Sequence, residues 1–222
     1  MSRSFDRERD ARGFANAHND LLNATVCDGP RLSCVISPGR DRSRAVIGYR
    51  ITRDQLDLQE CIPITIGADP KIWLGFSMRL EQDHENKYLM VRQSVMLLSS
   101  SATPDEVLLH YDYERDKSDD YPDAHLQICA SSLAWEAIGV RLDGSERLLE
   151  RMHLPVGGRR FRPTLEDIVE FLITEKLASP KPRWETAVAR GRESFRKKQL
   201  RAAIRRDPET ARSALAERDA RE

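Results

Sequence analysis

The sequence of 222 residues predicts an α+β fold built on an antiparallel meander sheet of about six or seven strands. Short runs rich in β-branched and aromatic residues follow one another through the middle of the chain, and turn residues separate them. Helical spacing of apolar residues occurs before and after this stretch. Because no crossover segment separates successive strands, neighbouring strands are expected to pair antiparallel.

The strands are predicted from apolar runs that end at Gly, Pro, Asp or Asn. They are expected at residues 32–36, 45–51, 62–66, 72–80, 88–98, 107–114 and 124–129. The polar segment 82–86 lies between two of the longest runs and indicates a hairpin. A further strand at 148–156 is expected to pair with 159–162 across Gly157 and Gly158, since a Gly-Gly pair suits a tight turn.

Helices are predicted at both ends of the chain. Apolar residues at helical spacing indicate an N-terminal helix over 6–22. Thr164 and Asp167 form a capping-box pattern that starts an amphipathic helix, and the two prolines near residue 181 end it. Further helices are expected from Trp184 and, with an Asp-Pro start, from residue 208. We therefore predict one α+β domain over 1–178, closed by the amphipathic helix on the sheet, and a charged helical extension over 179–222.

Charge is balanced over the whole chain and uneven along it. The formal net charge is zero, so any attraction to nucleic acid has to come from local patches. Residues 180–206 carry ten Lys or Arg and two Glu, whereas residues 112–123 carry six acidic and two basic residues. The predicted basic helix can follow a phosphate backbone, and its candidate contacts are Arg196, Lys197, Lys198 and Arg201. A solvated helix face explains such a charge run equally well.

The cysteines and the N-terminal segment bear on localisation. The four cysteines are widely spaced and form no Cys-x-x-Cys pair, which is typical of reduced, mostly buried thiols. Residues 1–12 alternate basic and acidic side chains and lack the apolar core of an export signal. No run of about 18 apolar residues suggests a membrane span. The sequence predicts a cytoplasmic protein without membrane contact.

Three residues are candidates for catalysis: His110, Asp112 and His125. Strand alternation puts His110 and Asp112 on one face of their strand, and an antiparallel partner strand carries His125. If Asp112 lies opposite His125, a carboxylate and an imidazole meet as general base catalysis requires. The same alternation is also typical of the solvated side of a half-buried sheet.

A divalent metal could bind the same residues, although their spacing in the sequence does not match a known metal-ligand pattern. Together with His153, the three candidates carry atoms that bind zinc or manganese. No two of these residues have a fixed metal-ligand spacing, so we assign no metal ligand and no cofactor.

Arg159, Arg160 and Arg162 are candidates for binding phosphate. They lie between the two glycines and the capped helix, where the helix N-terminus favours anions and arginine offers paired donors. Unlike a P-loop, the segment has no Gly-Lys-Ser or Gly-Lys-Thr ending. Arginines that pair with neighbouring carboxylates would give the same sequence.

One resemblance concerns the layout of the chain. A Tyr-rich strand, an acidic bend, a strand with Pro122 and His125, and a closing helix follow in an order that is similar to small proteins of toxin–antitoxin and mobile-element loci. The resemblance implies nucleic-acid chemistry and transfers no catalytic residue.

Three hypotheses follow from the sequence. The first is a module that binds nucleic acid or a phosphate-bearing partner through the arginines and the basic helix. The second is a hydrolase or nuclease with a His/Asp site on the central sheet. The third is a structural module whose acidic and basic segments pair with an acidic protein partner or with another copy of the chain.

Overall fold

The computed structural model describes residues 5–36, 44–83, 87–116, 122–142, 148–157 and 162–219. Within these ranges the chain forms one antiparallel sheet of eight strands together with six helices. The predicted α+β class, the N-terminal helix and the C-terminal helices are thereby confirmed. Seven of the strands overlap the seven segments predicted for the meander, and the eighth lies within the further segment expected at 148–156.

The strands run in the order β1-β2-β4-β5-β6-β7-β8, with β3 paired to β4 beside this path. Their bounds are β1 Leu32–Ile36, β2 Ala45–Tyr49, β3 Ile62–Pro63, β4 Trp73–Gln82, β5 Leu89–Ser99, β6 Val107–Glu114, β7 Ala124–Ile128 and β8 Leu154–Pro155. Every pairing is antiparallel. The predicted hairpin between the long strands is confirmed as β4 and β5.

The helices of the described ranges are α1 Arg7–Thr25, α2 Leu133–Leu142, α3 Leu148–Arg151, α4 Leu165–Thr174, α5 Trp184–Arg206 and α6 Pro208–Asp219. The caps predicted from sequence are confirmed at α4, where the Thr164 amide donates to Asp167 Oδ2 at 2.8 Å, and at α6, where the Thr210 amide donates to Asp207 Oδ1 at 3.0 Å. None of these helices combines the length and the apolar character needed to cross a bilayer.

Between β7 and α4 the structure contains one helix that was not predicted, and one predicted strand was wrong. Residues 133–142 form α2, for which no helix was predicted, because its apolar side chains do not fall on one face; Leu133 and Val140 are exposed. Residues 148–151 are helical instead of extended, since Leu, Glu and Arg favour helix over strand. Only β8 remains of the predicted strand, and it pairs with β7. Of the predicted partner strand 159–162, residues 159–161 lie outside the described residues.

The core lies between the sheet and helices α1 and α4. Side chains of one sheet face, such as Phe76 from β4, form a buried cluster with Leu22 of α1 and Leu172 of α4. We call this side of the sheet the helix face. Helix α5 begins against the same cluster, because Val188 is buried in it and Trp184 packs on it. The helical extension is therefore joined to the domain through its first turns.

Lys181 ties the start of this extension to the end of α1. Its backbone amide donates to the Thr25 carbonyl at 2.7 Å, and its ammonium group donates to the Asn23 carbonyl at 2.9 Å. The ammonium group also pairs with Asp28. Hydrogen bonds thus join the N-terminal helix to the segment before α5, although most of the sequence lies between them.

Candidate functional site

The face of the sheet opposite α1 and α4, here called the outer face, carries the candidate catalytic residues. Side chains on neighbouring strands line up across it in rows, because antiparallel pairing places partners opposite one another. One row contains Ser77, Val95, Asp112 and His125; a second contains Arg79, Gln93 and Glu114; a third contains Gly75, Leu97, His110 and Gln127. The strands carry these residues in turn because alternate residues of a strand share a face.

Asp112 lies between two imidazoles. Its Oδ2 accepts a hydrogen bond from His110 Nδ1 at 3.0 Å and lies 3.6 Å from His125 Nε2. The register pairs Asp112 directly with His125, which is the arrangement on which the sequence-based hypothesis depended. The other carboxylate oxygen, Oδ1, is buried and has no hydrogen-bond partner among the described residues. The carboxylate therefore keeps one acceptor available.

His125 is the most enclosed member of the cluster. Its side chain is 6% exposed, compared with 22% for His110 and 30% for Asp112. On its far side, Nδ1 lies 3.4 Å from the Pro122 carbonyl. The ring of His153 meets the His125 ring edge-on, with 4.5 Å between the centroids. Three imidazoles and one carboxylate are thus gathered in one place, with His110 the accessible imidazole of the pair that flanks Asp112.

A cavity of about 80 Å³ adjoins this cluster. Its lining includes Asp112, Glu114 and His125, together with Gln93 and Val95 of β5. A second hollow of about 130 Å³ shares Gln93 and Val95 with the first and continues to Ser77, Arg79, Asp57 and Leu58. The two hollows are therefore neighbouring parts of one groove, which crosses β4, β5, β6 and β7 on the outer face.

The segment 51–60 forms the wall of the groove over β2 and β4. It approaches the sheet so closely that a Cβ on Gly75 would lie 2.9 Å from Leu58 and 2.6 Å from Leu97, and one on Gly48 would lie 2.8 Å from Ile51. Glycine at these two positions thus permits the segment to pack on the strands. At the other end of the sheet, α3 contacts β7, where Gln127 Nε2 donates to the Glu150 carbonyl at 3.4 Å.

The cluster does not amount to a metal site in the part of the chain that the structure describes. No group of three or more His, Cys, Asp or Glu side chains there is arranged to hold a metal ion. Nor do the buried thiols offer a nucleophile: burial raises the pKa of Cys27 to about 12 and that of Cys61 to about 11, so both stay protonated. The site is an arrangement of proton donors and acceptors.

Of the three predicted phosphate-binding arginines, the one that the structure describes, Arg162, does not join this cluster. Arg159 and Arg160 lie outside the described residues. The guanidinium carbon of Arg162 lies 4.3 Å from the centroid of the Tyr113 ring, and burial lowers the pKa of Arg162. Tyr113 belongs to the helix face, since it alternates with Asp112 and Glu114 along β6. The described arginine therefore stacks on the side of the sheet away from the histidines.

The basic helix also lies on the helix face, and much of its charge is paired. Arg192 joins α5 to α4 through Asp167 at 2.8 Å and Glu170 at 2.5 Å. Arg196 and Lys197 both pair with Glu193, at 2.9 and 3.1 Å. Lys198 and Arg201 are exposed and have no ion pair to a described carboxylate. The structure thus separates the two predicted functional regions by the thickness of the sheet.

Four residues of the groove escaped the sequence-based prediction: Ser77, Arg79, Gln93 and Asp57. The first three follow from the alternation of β4 and β5, which puts them on the same face as the histidines once the pairing is known. Asp57 has no comparable signal, because it reaches the groove only through the packing of an irregular segment on two glycines.

Comparison with protein-family models, curated proteins and solved structures finds no match to this chain. The function therefore has to be inferred from the site itself.

Proposed function

We propose that the chain is a nuclease that cleaves RNA phosphodiesters by acid–base catalysis in the outer-face groove. The observation that carries this proposal is the position of the Asp112 carboxylate between the imidazoles of His110 and His125 beside a cavity. Imidazole is the side chain best suited to exchanging protons near neutral pH, and a carboxylate at its Nδ1 fixes both tautomer and orientation.

His110 serves as the general base. Because a carboxylate only accepts, the 3.0 Å contact requires His110 to donate its Nδ1 proton to Asp112. The neutral ring then carries its lone pair on Nε2, the nitrogen that does not contact Asp112. This nitrogen is the acceptor for a proton from the attacking hydroxyl.

The enclosed imidazoles serve as the proton source for the leaving group. His125 Nδ1 lies 3.4 Å from the Pro122 carbonyl and Nε2 lies 3.6 Å from Asp112 Oδ2, so both ring nitrogens lie near acceptors, and in this proposal the ring carries the proton that the leaving group takes. His153 lies against this ring and extends the imidazole pair. A proton held there is next to the cavity.

The lining of the cavity favours a substrate that brings its own nucleophile. Ser94 and Tyr113 carry the hydroxyl groups of that lining, and both side chains alternate to the helix face. In this proposal the substrate supplies the attacking oxygen, because RNA has a 2′-hydroxyl next to each phosphodiester. His110 Nε2 accepts the 2′-hydroxyl proton as the oxygen bonds to phosphorus. The bond to the 5′-oxygen breaks, and that oxygen takes a proton from the imidazole pair.

The test compares a short single-stranded RNA with DNA of the same sequence between pH 5 and 8. We expect cleavage of the RNA alone, with a 2′,3′-cyclic phosphate detected by mass spectrometry, and a loss of about 10²- to 10⁴-fold in His110→Ala. Leu108→Ala is the matched control, since Leu108 is exposed on β6 two residues before His110. Intact RNA under all conditions, or equal rates for wild type and His110→Ala, would overturn the proposal.

A second candidate function, binding of a nucleic-acid backbone by α5, is favoured by the cations that the fold leaves unpaired. Lys198 and Arg201 lie close together on an exposed surface of the helix, and the Glu193 pairs of Arg196 and Lys197 are exposed enough to exchange for phosphate. Each phosphate neutralised in this way adds affinity that falls with salt.

Replacing Lys198 and Arg201 together by Gln tests this second function. Affinity for single-stranded RNA should fall, and the slope of log affinity against log salt should become shallower by about one for each cation removed. Arg192→Gln is the control, because Arg192 is already held by two carboxylates of α4. An unchanged slope in the double variant would refute binding through α5.

A further inference from the structure

We propose that Arg79, Ser77 and Gln93 form a second subsite of the groove, which binds a phosphate of the RNA beyond the one that is cleaved. This inference rests on the proposed nuclease function and names what holds the rest of the substrate. Ser77 lies in the same cross-strand row as Asp112 and His125, and Arg79 and Gln93 occupy the adjacent row.

Distance makes the subsite separate from the catalytic cluster. Two strand spacings lie between Ser77 on β4 and Asp112 on β6, which is roughly 10 Å. The hollow that contains Ser77 and Arg79 shares Gln93 and Val95 with the hollow at the histidines. A polynucleotide lying along the groove therefore reaches both places, with one phosphate beside Asp112 and His125 and another at Arg79.

The guanidinium of Arg79 is suited to accepting such a phosphate. It makes one described contact, from Nη2 to Asp57 Oδ1 at 2.8 Å, and the side chains are 48% and 69% exposed. A pair this exposed is weak because water screens it. A single contact also leaves most of the five donors of arginine for an anion, which they bind in pairs. The Ser77 hydroxyl and the Gln93 amide supply neutral donors beside it.

Asp57 acts as the occupant of the subsite in the absence of RNA. Its carboxylate lies on the wall segment 51–60 and neutralises Arg79, so a phosphate has to displace it. Among the described residues that line the two hollows, Arg79 is the one Lys or Arg, so it is the favourable position for the second phosphate.

The test uses 2′-deoxy dinucleotides, which lack the attacking hydroxyl, so that binding is measured without cleavage. Calorimetry compares a dinucleotide with one phosphodiester against the same compound with an added terminal phosphate, at either end. We expect the added phosphate at one end to strengthen binding about tenfold in wild type. Arg79→Gln should remove this gain, Arg79→Lys should keep part of it, and Asp57→Asn should enlarge it.

Arg12→Gln in α1 is the matched control, since it removes an exposed, ion-paired arginine from a helix on the other side of the sheet. The subsite is refuted if terminal phosphate gives no gain in wild type, or if Arg79→Gln retains the gain. Cleavage of RNA by wild type combined with either result would leave the nuclease proposal intact. If the terminal phosphate strengthens binding but wild type does not cleave RNA, the phosphate subsite is supported and the nuclease proposal is overturned.

Discussion

The two faces of the sheet use charged residues in different ways. On the helix face, Arg192 bonds to Asp167 and Glu170 and so links α5 to α4, and Arg162 stacks on Tyr113. On the outer face, by contrast, the carboxylate of Asp112 holds two imidazoles beside a cavity and joins no two helices. Polar groups that connect elements contribute to stability, whereas polar groups gathered at a cavity are available to a substrate. Variants on the two faces should therefore fail in different measurements.

The largest effect is expected from Asp112→Asn on RNA cleavage. The amide keeps the size of the carboxylate but removes the charge that holds both imidazoles, so the rate should fall about 10²- to 10⁴-fold. Single-turnover kinetics measures the rate, and circular dichroism on heating measures folding. Asp112→Asn should have the melting temperature of the wild type if outer-face residues serve the substrate rather than stability. Loss of activity that results only from unfolding of the variant would contradict this difference between the faces.

Leu172→Ala should have the opposite signature. Leu172 is fully buried where α4 packs on the core, so its truncation leaves a cavity and should cost about 2–5 kcal/mol of unfolding free energy. Urea denaturation measures the loss. Below the unfolding transition, the remaining folded protein should cleave RNA at the wild-type rate. A cost of about 0.5 kcal/mol or less, which is typical of a surface substitution, would show that α4 is not part of the core.

Gly75→Ala should change both stability and substrate binding, because Gly75 is where the wall of the groove meets the sheet. The added Cβ would collide with Leu97 and Leu58, and relieving that overlap should cost about 1–3 kcal/mol. Displacement of Leu58 should also widen the hollow at Arg79 and raise KM for RNA. Gly13→Ala is the control, since a Cβ there meets nothing within 4 Å. Equal stability of the two variants would contradict the close approach of segment 51–60.

The smallest effect is expected from His18, which belongs to the helix face. Its ring lies 4.3 Å from the Phe14 ring and 5.4 Å from that of Phe76, and burial lowers its pKa from 6.5. The neighbouring charges oppose one another, because Glu166 raises this pKa and Lys198 lowers it. A lowered pKa means that the unfolded chain takes up the proton first. Stability should be complete above pH 6.5 and should decline as the pH falls below it.

Urea midpoints at pH 7.5 and pH 5.5 test this dependence. His18→Gln removes the titrating group and should reduce the difference between the two midpoints. An identical difference in wild type and variant would show that His18 does not cause the pH dependence.

Local patterns predicted most of the fold. The alternation of β6 predicted which residues share a face with His110, and the caps at Thr164 and Asp207 predicted where α4 and α6 begin. The expected strand at 148–156 failed because a short apolar run fits a strand and a helical turn equally well. Helix α2 was missed because its apolar residues have no periodic arrangement.

The candidate site was only half predictable, for a physical reason. Strand alternation identifies His110, Asp112 and His125 as candidates, but their meeting depends on register, which the sequence of one strand does not specify. The role of Arg79 depends on the non-local packing of segment 51–60 over Gly48 and Gly75. The position of the basic helix depends on which side of the sheet α5 packs, and this is decided by Val188 and the core cluster.

The bonds of Lys181 to the end of α1 have a consequence for synthesis of the protein. Helix α1 is translated before the sheet, yet its partners at Lys181 and in α5 come more than a hundred and fifty residues later. The part of α1 that α5 covers therefore stays exposed until after the sheet is made, a stage at which nascent chains are prone to aggregate. A premature stop before Trp184 should yield an insoluble or degraded fragment, even though the whole sheet has already been made.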